Sequence, residues 1–171
     1  SLFLKKPSNV ILWYSTNINY SHKSLKAIPI GIADNDRKNL SLNEIANYME
    51  TQKISDDLAN NKLLYVNFRE NTNLKHRTGL YEYFQQFSWT LVDDSNLNNE
   101  EYFNKIAMFP FVFCPWGNGF DSHRIWESLS AGSIPITKAH ITFEQYKDVP
   151  IVLVDDYKDI TQDYLLSLQE T

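Results

Sequence analysis

The chain has 171 residues, 43% hydrophobic and 14% aromatic, which suffices for one substantial core; a formal charge of -5 and a pI near 5.3 leave no basic surplus for nucleic-acid binding and allow only a local basic pocket. Five glycines and six prolines, scattered, exclude a low-complexity chain, and the lone Cys114 excludes an intramolecular disulfide and a cysteine-rich zinc site. No stretch approaches the ~20 apolar residues of a membrane span, and no signal peptide is visible, so the chain is expected to be soluble.

In chain order, the start at Ser1, without a methionine and close to an apolar run, suggests a piece of something longer. Val10 to Ser15, after Pro7, predicts a buried strand, and Asn17 to Pro29 reads as irregular. Ser41 and Glu44 form a capping-box pattern that predicts a helix from about Leu42 into the low fifties. Leu63 to Val66 predicts a strand, Asn67 to Asn73 a polar loop, and Leu74 to Phe87 one helix with Leu80, Tyr83, Phe84 and Phe87 on its apolar stripe. Trp89 to Val92 and Phe111 to Cys114 read as strands, with a helix at Asn99 to Met108 between them. A glycine turn then leads into a helix from about Ser122 to Ala131. A strand at Ile134 to Thr137, a short helix near Phe143 to Tyr146, a strand at Ile151 to Val154 and a helix after Asp159 complete the series.

Short apolar strands alternating with helices predict an α/β fold, a Rossmann-like parallel sheet with helices on both faces, because parallel neighbours need crossover connections. Ligands of such sheets bind beyond the carboxyl ends of the strands. That rule selects the loops after Val66 and after Cys114, which are predicted to lie on one sheet edge.

In the second loop, Gly117, Asn118 and Gly119 can bring backbone N–H groups near an anion at the N-terminus of the following helix, although turn-making is an equally ordinary use of them. Asp121 or Ser122 can cap that helix. Arg124 stands in the first turn, where the macrodipole disfavours a cation, so it calls for a bound phosphate or an ion pair with Asp121. His123 and Glu127 share a helix face; they are incomplete as a metal pair and also suit a solvated or ion-paired face. In the first loop, Arg69 and Arg77 have the forked donors that grip phosphate oxygens or are plain surface charges, with Thr72 and Asn73 as further donors or as plain helix caps.

The run Phe111 to Ile136, with its strand, Pro115/Gly117 turn, Asp121-Ser122 and Arg124 helix start, Glu127 and Gly132-Ser-Ile-Pro-Ile strand, resembles the donor-binding region of exostosin-like and related GT-B glycosyltransferases. Tyr146 to Asp155 resembles the segment that follows there, and Ser133 departs from a common cysteine. The resemblance implies the C-terminal half of a GT-B fold, with residues 1–32 as the inter-domain crossing and 33–171 as the nucleotide-sugar-binding domain. It implies that Arg124 and the Gly117 to Ser122 backbone meet a diphosphate and that Glu127 accepts ribose hydroxyls. The implied reaction is glycosyl transfer from a nucleotide-diphosphate sugar to a glycan or other hydroxyl acceptor held by a missing N-terminal domain. No metal or other cofactor is expected, the general base is expected on the missing half, and the fragment alone is expected to show weak or absent activity. Two alternatives remain from the residues themselves. One is a non-catalytic nucleotide-binding module, and the other is a protein-interaction domain with Trp116, Phe120 and Trp126 as exposed anchors.

Overall fold

A computed structural model describes residues 2–33, 62–93 and 95–170. Seven strands are found among them: β1 (Trp13–Ser15), β2 (Leu25–Ala27), β3 (Leu64–Val66), β4 (Thr90–Val92), β5 (Phe111–Phe113), β6 (Ile134–Lys138) and β7 (Val152–Val154). The helices are α1 (Leu74–Arg77), α2 (Leu80–Gln85), α3 (Asn99–Ala107), α4 (His123–Ser130) and α5 (Gln162–Gln169), with four short 3-10 turns beside them. The helix expected from Ser41 and Glu44 lies outside the described residues.

Strands β3 to β7 form one parallel sheet in the order β4-β3-β5-β6-β7, so the predicted α/β architecture is present. Alternate side chains sort into two cores. Leu64, Val66, Phe111, Phe113 and Ile136 pack under α2 and α5 with Phe84 and Leu165, while Tyr65 and Val112 pack on the other face with Tyr102, Phe103, Ile106 and Ile125 of α3 and α4. Both faces are covered, which is why the strands read as continuous apolar runs.

Local signals set the helix ends. Asn98 caps α3 in a full capping box with Glu101. Helix α4 ends in a Schellman turn, with Gly132 at φ 81 and Ser133 N–H donating to the Ser128 carbonyl at 2.9 Å, which drops the chain straight into β6. Ser133 is buried, its hydroxyl reaching the Phe109 carbonyl at 2.8 Å.

Three expectations are corrected. The single helix over 74–87 is two, because Thr78 leaves the helical region and Gly79 takes φ 77, ending α1 after one turn. The buried strand over 10–15 shrinks to β1, with Ile11, Leu12 and Tyr14 exposed, because it joins no large sheet. Its partner β2 arises inside the stretch read as irregular, where Leu25 and Ala27 are buried against Phe3 and Ile18; a three-residue strand is too short to show periodicity.

Cys114 is fully buried beside Ser128, and burial pushes its thiol pKa up to about 12. The expectation of a small core residue holds. Because only the thiolate reacts, alkylation at pH 8 should be negligible for the native protein and complete after denaturation, as read by mass spectrometry with and without guanidinium.

Candidate functional site

Counting only this sheet, the strands run 2-1-3-4-5, so the connections reverse direction between β3 and β5. A crevice opens outside the carboxyl ends of two such strands because their following loops leave toward opposite faces. A cleft of about 860 Å³ lies there, lined by both loops, by the start of α4 and by Asn17 and Ile30 from the N-terminal segment. All the sequence-predicted site residues line it except Asn73. The two loops are therefore on one edge, as expected.

The residues divide by how their polar atoms are used. Arg77 is buried, and its guanidinium donates to three carbonyls: Nε to Trp116 at 2.8 Å, Nη1 to Arg69 at 2.7 Å and Nη2 to Pro115 at 3.0 Å. Asn73 Nδ2 donates to the Gly117 carbonyl at 2.6 Å. These two side chains splint the loops together, a use that sequence reasoning did not foresee. Burial first, and then the like charge of Arg124, lower the Arg77 pKa to about 10, so it remains charged at neutral pH. Thr72 lines the wall beside Gly117, and Arg69 is exposed at the rim.

The glycines serve close packing. An added Cβ at Gly117 would meet Arg77 Nη2 at 3.1 Å, and one at Gly119 would meet Asn17 Oδ1 at 2.5 Å. Gly117 N–H donates within the turn to the Gly119 carbonyl at 3.0 Å, so it is occupied rather than presented to an anion. Asn118 is exposed at the tip. Gly119→Ala should cost about 1–3 kcal/mol of stability through overpacking, with part of that loss recovered in the Asn17→Gly double variant. Denaturant unfolding of the four proteins in the cycle checks this.

Asp121 neither caps α4 nor pairs with Arg124. Its Oδ2 accepts Ile30 N–H at 2.8 Å and its Oδ1 accepts the Trp126 indole N–H at 2.7 Å, while its own N–H donates to Asn17 Oδ1 at 2.6 Å. Burial raises its pKa, against the pull of those hydrogen bonds. His123 Nδ1 meets the Gly31 carbonyl at 2.7 Å. Asn17 is a non-glycine residue at φ 51, a conformation asparagine tolerates better than most. Together these contacts seat the segment from Asn17 to Gly31 against the start of α4.

Two groups at the start of α4 have buried atoms without partners. Ser122 occupies the N-cap but makes no capping hydrogen bond, and its Oγ is buried and unsatisfied. Arg124 Nη1 is buried and unsatisfied too. Burial opposes the charge of Arg124, but interactions with Tyr102, Cys114 and Glu127 more than offset it and its pKa lies above the ordinary value. A hydroxyl and a cationic donor left without acceptors at a helix N-terminus are groups of the kind an anion can satisfy.

One turn along, Glu127 is 1% exposed and accepts the Tyr102 hydroxyl on Oε2 at 2.9 Å, so the solvated-face reading of it is excluded. Tyr102 also stacks beneath Arg124, its ring 5.0 Å from the guanidinium carbon. Sequence reasoning missed Tyr102, Asn17 and Asn67. Tyr102 was hidden in the apolar stripe of α3, and Asn17 in an irregular stretch. Asn67, the first residue past β3, could have been chosen from its place at a strand end alone.

The three aromatic residues read as interface anchors are half-buried and engaged internally: Trp126 with Asp121 and Tyr146, Trp116 with the Lys138 carbonyl, and Phe120 stacked on His140. Among the described residues, no helix is long and apolar enough to cross a membrane, and no group of three or more His, Cys, Asp or Glu side chains could hold a metal ion. No protein-family model matches the chain, and no curated protein matches it.

Proposed function

We propose that the cleft binds the diphosphate of a nucleotide sugar and that the chain is the donor-binding domain of a GT-B glycosyltransferase. The observation that carries the reading is the pair of unsatisfied buried groups, Ser122 Oγ and Arg124 Nη1, at the N-terminus of α4. A phosphate is the class of acceptor that both donors lack, and an anion at this terminus offsets the macrodipole's opposition to a first-turn arginine. Arg69, exposed in the cleft lining, offers a further cation for the second phosphate, and Arg77 adds charge behind the loop. Glu127, buried and ionisable beside the same cleft, suits a ribose diol. Sugar transfer from such a donor leaves a diphosphate whose growing negative charge these cations and the helix dipole stabilise. The acceptor and the general base belong, on this reading, to another domain.

Calorimetric titration with a panel of nucleoside diphosphates tests the proposal. Selective binding of one base, with a dissociation constant at or below about 1 mM, that is lost on Arg124→Ala and weakened on Glu127→Ala supports the reading. Equal failure of every member of the panel at millimolar concentration counts against it and favours the protein-interaction domain.

A further inference from the structure

Residues 1–33 contain Lys5, Lys6, Lys23 and Lys26 and no Asp or Glu, so all 21 acidic residues of a chain with formal charge -5 lie beyond them. The same stretch carries most of the large hydrophobic side chains that are exposed among the described residues. Leu2 and Leu4 are exposed on either side of the buried Phe3, and Ile11 is exposed ahead of β1. Scattered surface leucines are ordinary, and so is a basic stretch. Their coincidence in one segment of an acidic protein is a charge asymmetry with an apolar surface attached to it.

The β1-β2 ladder gives that coincidence a geometry. Trp13 is in register with Leu25 and Tyr14 with Lys26, and paired residues of a ladder share a face. The inner face, with Trp13, Leu25 and Ala27, packs with Phe3 and Ile18. The outer face sets Tyr14 beside Lys26. Leu12 lies two residues before Tyr14 and Ile28 two after Lys26, and Ile28 N–H still donates to the Ser15 carbonyl at 3.1 Å, so strand alternation continues the outer face to both. Tyr14 is 58% exposed, Leu12 45% and Ile28 40%, where a solvated sheet face ordinarily carries polar residues.

We propose that this outer face docks the protein on a membrane surface bearing anionic lipid headgroups. Leu12, Tyr14 and Ile28 enter the boundary between headgroups and acyl chains, and Lys26 lays its methylene stem along them while its ammonium stays among the phosphates. Lys5 and Lys23, both exposed, add attraction that reaches about 10 Å at ordinary ionic strength. The acidic remainder of the chain is repelled by the same surface, which turns the lysine-bearing segment toward it. A fluid anionic surface suits one cation set among apolar side chains, whereas an acidic protein partner would need a carboxylate matched to Lys26 alone. The segment also supplies Asn17 and Ile30 to the cleft, so docking holds the cleft near the bilayer. The inference stands independently of the diphosphate reading.

Sedimentation of the full chain with phosphatidylcholine vesicles, with and without phosphatidylserine, tests it. Binding should be at least about tenfold stronger with phosphatidylserine and should weaken as salt is raised. The double variant Tyr14→Ser with Ile28→Ser should lose about tenfold in binding, and Lys26→Glu about fivefold to tenfold, each with a melting temperature close to that of the unmodified protein. Leu166→Ser, at an exposed leucine of α5, should bind as the unmodified chain does. Absence of binding to phosphatidylserine vesicles overturns the inference, as does binding that survives the Tyr14/Ile28 double variant or that falls equally in Leu166→Ser. A dimer in buffer that the same double variant converts to monomer overturns it as well, and assigns the face to a second copy of the chain.

Discussion

Arg124→Ala is expected to weaken nucleoside diphosphate binding by about 10- to 100-fold, because each charge-assisted hydrogen bond it offers is worth roughly 1.5–3 kcal/mol and each 1.4 kcal/mol is a factor of ten. Stability should change little. Alanine removes the desolvation cost of the unpartnered Nη1, but it also removes the interactions with Tyr102 and Glu127 that favour the charge, so the two effects oppose each other. The combination of lost affinity and a little-changed melting temperature separates a ligand-binding arginine from a structural one. Arg124→Lys should recover only part of the affinity, since an ammonium keeps the charge and loses the planar fork. Titration and thermal unfolding of the same preparations give both readouts. A fall in stability without a change in affinity would assign Arg124 to the scaffold.

Arg77 presents the opposite case. Its guanidinium holds the carbonyls of Arg69, Pro115 and Trp116 and so ties together two loops that Asn73 also joins through the Gly117 carbonyl. Arg77→Met removes three charge-assisted bonds, one of them buried and two part-buried, at a cost of roughly 3–5 kcal/mol. For a domain of this length each kcal/mol shifts the melting temperature by about 2–4 °C, so a fall of roughly 6–20 °C is expected. Ligand affinity should fall as well, because the two walls of the cleft lose their common fastening. Lysine should rescue little, since one ammonium cannot reach three carbonyls in the plane that a guanidinium spans. A melting temperature within 2 °C of the unmodified protein, still about one kcal/mol or less for this length, would show the clamp to be dispensable.

The contrast between these two arginines marks what was legible in the sequence. Both were identified as candidate phosphate ligands because residue type and loop position are visible there, and both line the cleft. Their division of labour was not visible. It depends on whether backbone carbonyls face the guanidinium, and that is decided by packing of β3 against β5 and by the break at Gly79 that ends α1. The large sheet was readable because each buried strand is a short apolar run bounded by polar loops, and because helical stripes such as Tyr102, Phe103 and Ile106 separate them. The same stripe concealed Tyr102 as a site residue, for an amphipathic aromatic serves the core with its ring and the cleft with its hydroxyl. β2 escaped notice because three residues carry no period, and Asn17 because a tight backbone conformation leaves no mark in composition.

The contacts that seat Asn17, Ile30 and Gly31 on the start of α4 join positions 104, 91 and 92 residues apart. Such long loops are the costly ones to close, and contacts of this separation slow folding where they belong to its critical nucleus. Because the N-terminal wall of the cleft exists only once those loops are shut, a chain that has gained its central strands but not these closures has no complete pocket. A ligand that needs that wall would bind only the finished molecule, and every increment of its binding energy would pull the population toward the fully folded state rather than toward any partly assembled one.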